Sequence, residues 1–341
     1  MFPQLTAFQT LAGTLLVSCL CSMLLGPVVI PWLKRLKFGQ QIRGDGPQTH
    51  LVKNGVPTMG GMMIVAGFFA GTLVFMRPPY DFVVPVLAVT LAYCVLGFLD
   101  DYISIRRKRS MGLTPRQKLV GQVGVAVLFA VYAFRHPAVG SAILIPFAHT
   151  SWDLWYFYLP FAVFVMVAFS NATNLTDGLD GLLASVTTVV AGTLALLFMS
   201  AVGSVALESM YADPGFAGQH NLLVMAAALA GGCLGYLKHN AHPAKVIMGD
   251  TGSLAIGGAL SAMALLYRIP LFLAMVGLIY VIENVSVIMQ VSYFKITHGK
   301  RIFKMAPIHH HFELSGMHEV QIVTMFLLVT LGLALVTLLA W

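Results

Sequence analysis

Three short acidic clusters are where this 341-residue chain could do chemistry: Asp100-Asp101, Thr176-Asp177-Gly-Leu-Asp180-Gly181 and Met248-Gly-Asp250-Thr-Gly252. Carboxylates gathered at the mouth of a helix bundle repel one another unless a cation joins them. A hard divalent ion held by a few carboxylates and by substrate phosphate oxygens suits such a site, and magnesium is the usual candidate. Each cluster also has a plainer reading. Asp100-Asp101 can end a helix and pair with Arg106 or Arg107, and neighbouring helical residues point about 100° apart. Asn174-Leu-Thr-Asp177 can cap a helix start, although the i, i+3 spacing puts Asp177 and Asp180 on one helical face. Gly178 and Gly181 leave room for close backbone approach. Gly249-Asp250-Thr251-Gly252-Ser253 is either a capped turn or a loop whose amides meet a phosphate at a helix start.

Pro307-Ile-His309-His310-His311-Phe-Glu313 is the least ordinary segment. Three adjacent imidazoles cannot share one zinc ion from a regular helix, where ligand pairs use i, i+4 spacing. They can donate hydrogen bonds to phosphate oxygens, or one can shuttle a proton; a polar turn is the plainer alternative. Lys53, beside a Gly-Pro turn and Thr58, can anchor a phosphate or a base. Asn240 in Lys238-His-Asn-Ala-His-Pro243 is a further polar contact. The run Arg106-Arg-Lys-Arg109 reads instead as a topology and anionic-lipid signal. Glu283 stands inside an apolar helix, a costly place that asks for a functional or hydrogen-bonding role. Anchoring a helix bend beside Asn284 is the preferred reading.

The elements that must position these residues are membrane spans. Hydrophobic residues make up 58% of the chain and charged residues 10%, and the mean hydropathy is +0.84. Soluble domains are about a quarter charged. Ten runs nearly free of charge are long or nearly long enough to cross a bilayer: 5–32, 56–76, 82–99, 119–135, 155–171, 182–202, 221–237, 254–267, 270–294 and 320–340. The fourth and eighth are short, and the ninth carries Glu283. The runs do not alternate as β-barrel strands do. The expected fold is therefore all-α and polytopic, one helical domain over residues 1–341, with about ten spans. Ser141-Ala-Ile-Leu-Ile-Pro146 suggests a small hairpin between spans.

Charge orients the spans. No Asp, Glu, Lys or Arg precedes Lys34, so the first run lacks the basic start of a signal peptide and is too long for one. With the N-terminus outside, only Arg77, Arg135 and Arg268 of the 20 Lys and Arg residues fall on the outer face. That bias sets topology strongly, with both termini outside. The acidic clusters, the histidines and Lys53 then share the cytoplasmic face. The net charge of +7 sits in short loops, so it argues for a membrane surface and against nucleic acid. Cys19, Cys21, Cys94 and Cys233 all lie in apolar runs and read as core-filling thiols. Carboxylates, imidazoles and lysines at this interface suit two anionic substrates, a cytosolic nucleotide-diphosphate sugar and a lipid phosphate, with a metal screening their repulsion.

Leu99-Asp-Asp-Tyr102, Asn174-Leu-Thr-Asp-Gly-Leu-Asp-Gly181, Ile247-Met-Gly-Asp-Thr-Gly-Ser253 and Met305-Ala-Pro-Ile-His-His-His-Phe-Glu313 resemble the motifs of the phospho-N-acetylmuramoyl-pentapeptide transferases. The resemblance covers essentially the whole chain. Its acidic motifs are shared with the wider polyprenyl-phosphate sugar-1-phosphate transferases, whereas the triple histidine with its flanks is more specific. It implies transfer from UDP-N-acetylmuramoyl-pentapeptide to undecaprenyl phosphate, with magnesium required and UMP released. It also implies a homodimer in the bacterial plasma membrane, surrounded by membrane lipid, with its cleft facing the cytoplasm. By motif, Asp250 binds the metal. Asp100 is the base or lipid-phosphate contact with Asp101 beside it, and Asp177 and His310 join the catalytic set. Asn174, Leu175 and Asp180 hold the nucleoside. Lys53, Thr58, Asn240, Gly249, Ser253, Gln290, His309 and His311 line the same cleft. Ile247 stands where many members carry Phe, so a uracil-stacking ring is missing there.

Direct attack by the lipid phosphate is preferred over a covalent aspartyl intermediate, because a phosphate monoester is already largely ionised near neutrality. Two rivals are an N-acetylhexosamine-1-phosphate transferase, which would share the acidic motifs, and an ion-coupled transporter, which would place charges near mid-membrane.

Overall fold

A computed structural model describes residues 5–36, 55–107, 112–203 and 214–341; Lys53 lies outside them. The chain is an all-α polytopic membrane protein. Its helices are α1 (Ala7–Arg35), α2 (Met62–Phe75), α3 (Val83–Arg107), α4 (Pro115–Arg135), α5 (Tyr158–Thr176), α6 (Leu182–Gly203) and α7 (Pro214–Asn240). They continue as α8 (Asp250–Leu266), α9 (Pro270–Val276), α10 (Leu278–Ile296), α11 (Ile308–Glu313) and α12 (Glu319–Leu339).

Of the ten expected spans, seven are single helices long and apolar enough to cross a membrane. The ninth is broken at Gly277, where α9 and α10 meet at 82°. The second and eighth, α2 and α8, are shorter apolar helices of 14 and 17 residues. Residues Thr251–Leu266 of α8 are all buried, and α8 packs against α3 and α5. Being sheathed by neighbours, it needs no lipid-facing stripe of its own.

On α1 the burial pattern is inverted relative to a helix of a soluble bundle, although the core of the molecule is apolar. On α1 the buried residues include Thr10, Thr14, Ser18, Ser22 and Gly26, while Phe8, Leu24 and Val28 face outward. Small residues at helix contacts and large apolar ones outside are what a lipid solvent favours. The expected hairpin is present, with β1 (Ala142–Ile145) antiparallel to β2 (Thr150–Asp153) and Ala142 opposite Asp153. All four cysteines are free thiols, as expected.

Three local expectations are corrected. First, α3 runs on to Arg107, so Asp100 and Asp101 lie inside a helix and not at its end. Second, Asn174-Leu-Thr176 closes α5 with Asp177 as the C-cap residue, so the segment ends a helix where a start was envisaged. Third, Asp177 and Asp180 occupy the turn before α6 and share no helical face. The two glycines explain the turn. Gly181 has φ +77, and a Cβ on Gly178 would stand 2.1 Å from His309 Nε2. The left-handed backbone at Gly181 interrupts a right-handed helix, and the missing Cβ on Gly178 lets the histidine segment close on the turn.

Candidate active site

Asp250 opens α8, directly after Gly249 with φ +74. A helix N-terminus exposes unpaired amides and favours an anion. Here the anion comes from the protein. One Asp101 oxygen accepts the Asp250 amide at 3.2 Å, and the other accepts the Thr251 amide at 3.0 Å and the Thr251 hydroxyl at 2.7 Å. The phosphate position envisaged at these amides is therefore filled by Asp101. Close approach makes this possible, since a Cβ on Gly97 of α3 would lie 2.1 Å from the Asp250 carbonyl oxygen.

With Asp101 engaged in this way, Asp100 and Asp250 are the carboxylates left facing solvent. Both line an open cleft of about 450 Å³, together with Lys118, Gln122, Asn171 and Asn174. Asp250 Oδ2 meets Lys118 Nζ at 2.5 Å, and its Oδ1 accepts from Asn174 Nδ2 at 2.7 Å. Asn174 Nδ2 also donates to Ser253 Oγ at 2.9 Å, and Lys118 Nζ donates to Asn174 Oδ1 at 3.4 Å. The Leu113 amide donates to Asp100 Oδ1 at 2.9 Å. Residues 57–61 pair with the segment before α8, Ile247 N donating to Pro57 O at 2.8 Å and Gly61 N to Met248 O at 3.0 Å, and a Cβ on Gly249 would lie 2.7 Å from both Thr58 Oγ1 and Asp101 Oδ2.

The turn Asp177–Gly181, which follows the α5 end carrying Asn174, connects this cleft to two further clusters. Asp180 is buried, and its Oδ2 accepts from the Ala244 amide at 3.0 Å and lies 3.2 Å from His242 Nδ1. His242 Nδ1 is also 3.5 Å from Glu319 Oε2, and the Asp180 amide donates to Glu319. The ligating atoms of Asp180, His242 and Glu319 lie within 4.8 Å of one another. Asn240 is buried, accepting from the Gly181 amide at 3.1 Å and donating to Val246 O at 3.0 Å. It therefore shapes the turn.

The histidines divide by burial. His309 is fully buried with Nδ1 3.1 Å from Glu283 Oε2, itself fully buried. The bend anchor preferred for Glu283 is therefore corrected: α10 runs unbroken through Glu283 and Asn284, the break lies at Gly277, and Glu283 instead pairs with His309. His310 Nδ1 lies 2.6 Å from Glu313 Oε2, and the rings of His309 and His310 are 4.1 Å apart. His311 Nδ1 accepts from the Lys304 amide at 3.1 Å. Gln290 holds the loop before α11, accepting from the Ile302 and Phe303 amides at 3.1 and 3.0 Å. Leu175 and Asp177 are half-buried at the end of α5.

Residues 83–268 match the model of glycosyl transferase family 4. The phospho-N-acetylmuramoyl-pentapeptide-transferase of Clostridium kluyveri is 46% identical over 323 residues, covering 95% of this chain and 96% of the relative. The enzyme of the same description from Caldanaerobacter subterraneus subsp. tengcongensis is also 46% identical over the same shares. That of Bacillus subtilis (strain 168) is 45% identical, covering 93% and 94%. The chain belongs to the phospho-N-acetylmuramoyl-pentapeptide-transferase family.

It is accordingly a phosphotransferase, and the transporter reading falls away. Within this family site, sequence reasoning missed Lys118, Gln122, Asn171, His242 and Glu319. Lys118 was counted as a topology charge, yet it carried a signal: it sits in the first turn of α4, just after the Thr114–Gln117 capping box. The helix dipole disfavours a cation there, and in the structure Asp250 offsets it. His242 and Glu319 had no comparable local mark.

Proposed function

We propose that this protein transfers phospho-N-acetylmuramoyl-pentapeptide from its UDP carrier to undecaprenyl phosphate at the cytoplasmic face of the bacterial plasma membrane, releasing UMP. The observation that carries the reading is the convergence of Asp100, Lys118, Asn174 and Asp250 on one open cleft. Four helices distant in sequence, α3, α4, α5 and α8, meet there. The charge bias of the loops supports the cytoplasmic orientation and about ten spans in one helical domain, and family likeness supports a homodimer.

The donor set fits magnesium. Two carboxylates and an amide oxygen are hard ligands, and a partly open cleft leaves room for waters and substrate phosphates. Asp250 is the proposed ligand, with Asp100 beside it. When bound, the ion neutralises charge between the two anionic substrates and on the transferring phosphoryl group. The chain's own residues do the rest. Asp101 holds the start of α8, and so the Asp250 carboxylate, against α3. Asn174 fixes the orientation of Asp250 and ties it to Ser253. His310, held by Glu313, faces the diphosphate, and the buried His309–Glu283 pair supports the turn that carries Asp177. Leu175 and Asp180, with Asn174, are assigned to the nucleoside, and Lys53, Thr58, Asn240, Gly249, Ser253, Gln290, His309 and His311 to the lining of the cleft.

In the reaction, an oxygen of the lipid phosphate attacks the sugar-linked phosphorus. The bond from that phosphorus to the bridging oxygen breaks, and UMP leaves with the electron pair. One phosphoanhydride replaces another, so the equilibrium lies near unity. Asp100 orients the lipid phosphate or takes its remaining proton.

The test is UMP release by purified protein given both substrates, with and without magnesium, beside Asp250→Asn. Release is expected only with the metal and the native Asp250. Full turnover by Asp250→Asn would remove the metal assignment, and preference for UDP-N-acetylglucosamine as donor would overturn the substrate. A phospho-sugar adduct trapped on the enzyme without lipid would replace direct attack by a two-step route.

A further inference from the structure

Lys118 has an unusual position for a residue of a cation site. Its ammonium touches Asp250 Oδ2 at 2.5 Å and reaches Asn174 Oδ1 at 3.4 Å, within the cleft that Asp100 also lines. It therefore bonds to the carboxylate oxygen that a divalent cation would need. Asp100 and Asp250 present two negative charges to the same space, and Asp101 stands directly behind them on the α8 amides. With three carboxylates this close and no cation between them, the start of α8 and the Asp100-Asp101 stretch of α3 would repel. A single ammonium on Asp250 offsets that repulsion, and its flexible four-carbon stem allows it to leave.

We propose that Lys118 is the built-in counter-cation of the metal site, and that a divalent ion binds Asp250 by exchange with the Lys118 ammonium. The inference rests on the reading of Asp250 as metal ligand and goes beyond it. The chain keeps its carboxylates in place whether or not metal is bound, and the metal must compete with an internal charge. Once displaced, the ammonium remains in the cleft, where the anionic oxygens of an incoming diphosphate are its natural partners. Lys118 thus couples metal entry to readiness for an anionic substrate.

The experiment uses the purified full chain in detergent and Mn²⁺ as the probe, with free and bound ion read by electron paramagnetic resonance. Lys118→Gln is expected to bind Mn²⁺ about tenfold more tightly than the native chain, the effect of removing one competing charge at a partly solvated site. Asp250→Asn is expected to bind at least about tenfold more weakly. Equal or weaker binding by Lys118→Gln, with binding still lost in Asp250→Asn, overturns the exchange and leaves the metal site standing. Native affinity in Asp250→Asn overturns the metal reading and the exchange with it. A second measurement needs no Lys118 variant: acetylation of Lys118 by acetic anhydride, followed by peptide mass spectrometry. Labelling is expected to rise severalfold when Mg²⁺ is added to the native chain and to be insensitive to Mg²⁺ in Asp250→Asn. Unchanged labelling in the native chain overturns the proposal even where Lys118→Gln fails to fold.

Discussion

The two ends of the bundle are polar in opposite ways. At the hairpin end, Asp153 accepts from the Ser141 hydroxyl at 2.5 Å and from the Trp155 amide at 3.0 Å, across 12 and 2 residues of sequence. These bonds hold the Asp153 carboxyl below its ordinary range. At the cleft end, Lys118 and Asp250 are 132 residues apart, and Asp101 and Thr251 are 150 apart. The first network is local and closes a turn. The second exists only when α3, α4, α5 and α8 are all in place, and it leaves two carboxylates beside open space. A polar cluster assembled from distant segments can present charge in a fixed geometry to a ligand. A local one mainly satisfies its own backbone.

Four changes test that contrast. Asp250→Asn has the largest expected effect: UMP release falls by about a thousandfold, the scale of losing a group that stabilises transition-state charge, while thermal unfolding stays near native. A turnover loss matched by unfolding would make Asp250 structural, like Asp153. Glu283→Ala leaves His309 buried without its carboxylate and is expected to lower stability by about 3–5 kcal/mol, read by thermal denaturation in detergent. A neutral outcome would show that the histidine segment docks without that pair. Gly178→Ala forces the turn off His309 and is expected to cost about 1–3 kcal/mol, with turnover falling as well because the turn carries Asp177 and abuts the end of α5 that carries Asn174. Loss of stability with full turnover would separate the turn from the site.

Ser141→Ala is the smallest. Turnover is expected to stay native, and only the acid response of the hairpin should change. Because the folded Asp153 carboxyl titrates below its unfolded value, its contribution to stability is present above the usual carboxylate range of about pH 4. It is lost as pH falls through the lower folded value. Trp152 emission followed from pH 6 to pH 2 should show that transition in the native chain, and show it at higher pH in Ser141→Ala. A change in turnover would couple the two ends of the molecule.

Much of this was legible without coordinates, and the failures share a cause. The spans were visible because hydropathy summed over about 20 residues needs no knowledge of neighbours. The hairpin was visible because its bonds are local. The motifs carrying Asp100, Asp101, Asn174 and Asp250 also named residues that the fold brings together. The extension of α3 to Arg107 was not visible, because its end depends on what packs beside Asp101. Nor was the turn at Asp177–Gly181, because His309 closes on Gly178 from 131 residues away. The break at Gly277 was hidden as well, since both arms are apolar.

By itself, the sequence determined an all-helical membrane chain and the residue types of its polar motifs. Only the tertiary structure decided what each carboxylate does. Asp101 is engaged by the amides of α8, Asp180 by His242 and Ala244, and Asp250 by Lys118 and Asn174. Hydropathy and net charge are properties of single segments, so they survive in the linear order. Which oxygen remains open to a ligand depends on donors from other helices arriving within about 3 Å, and no linear spacing encodes that meeting.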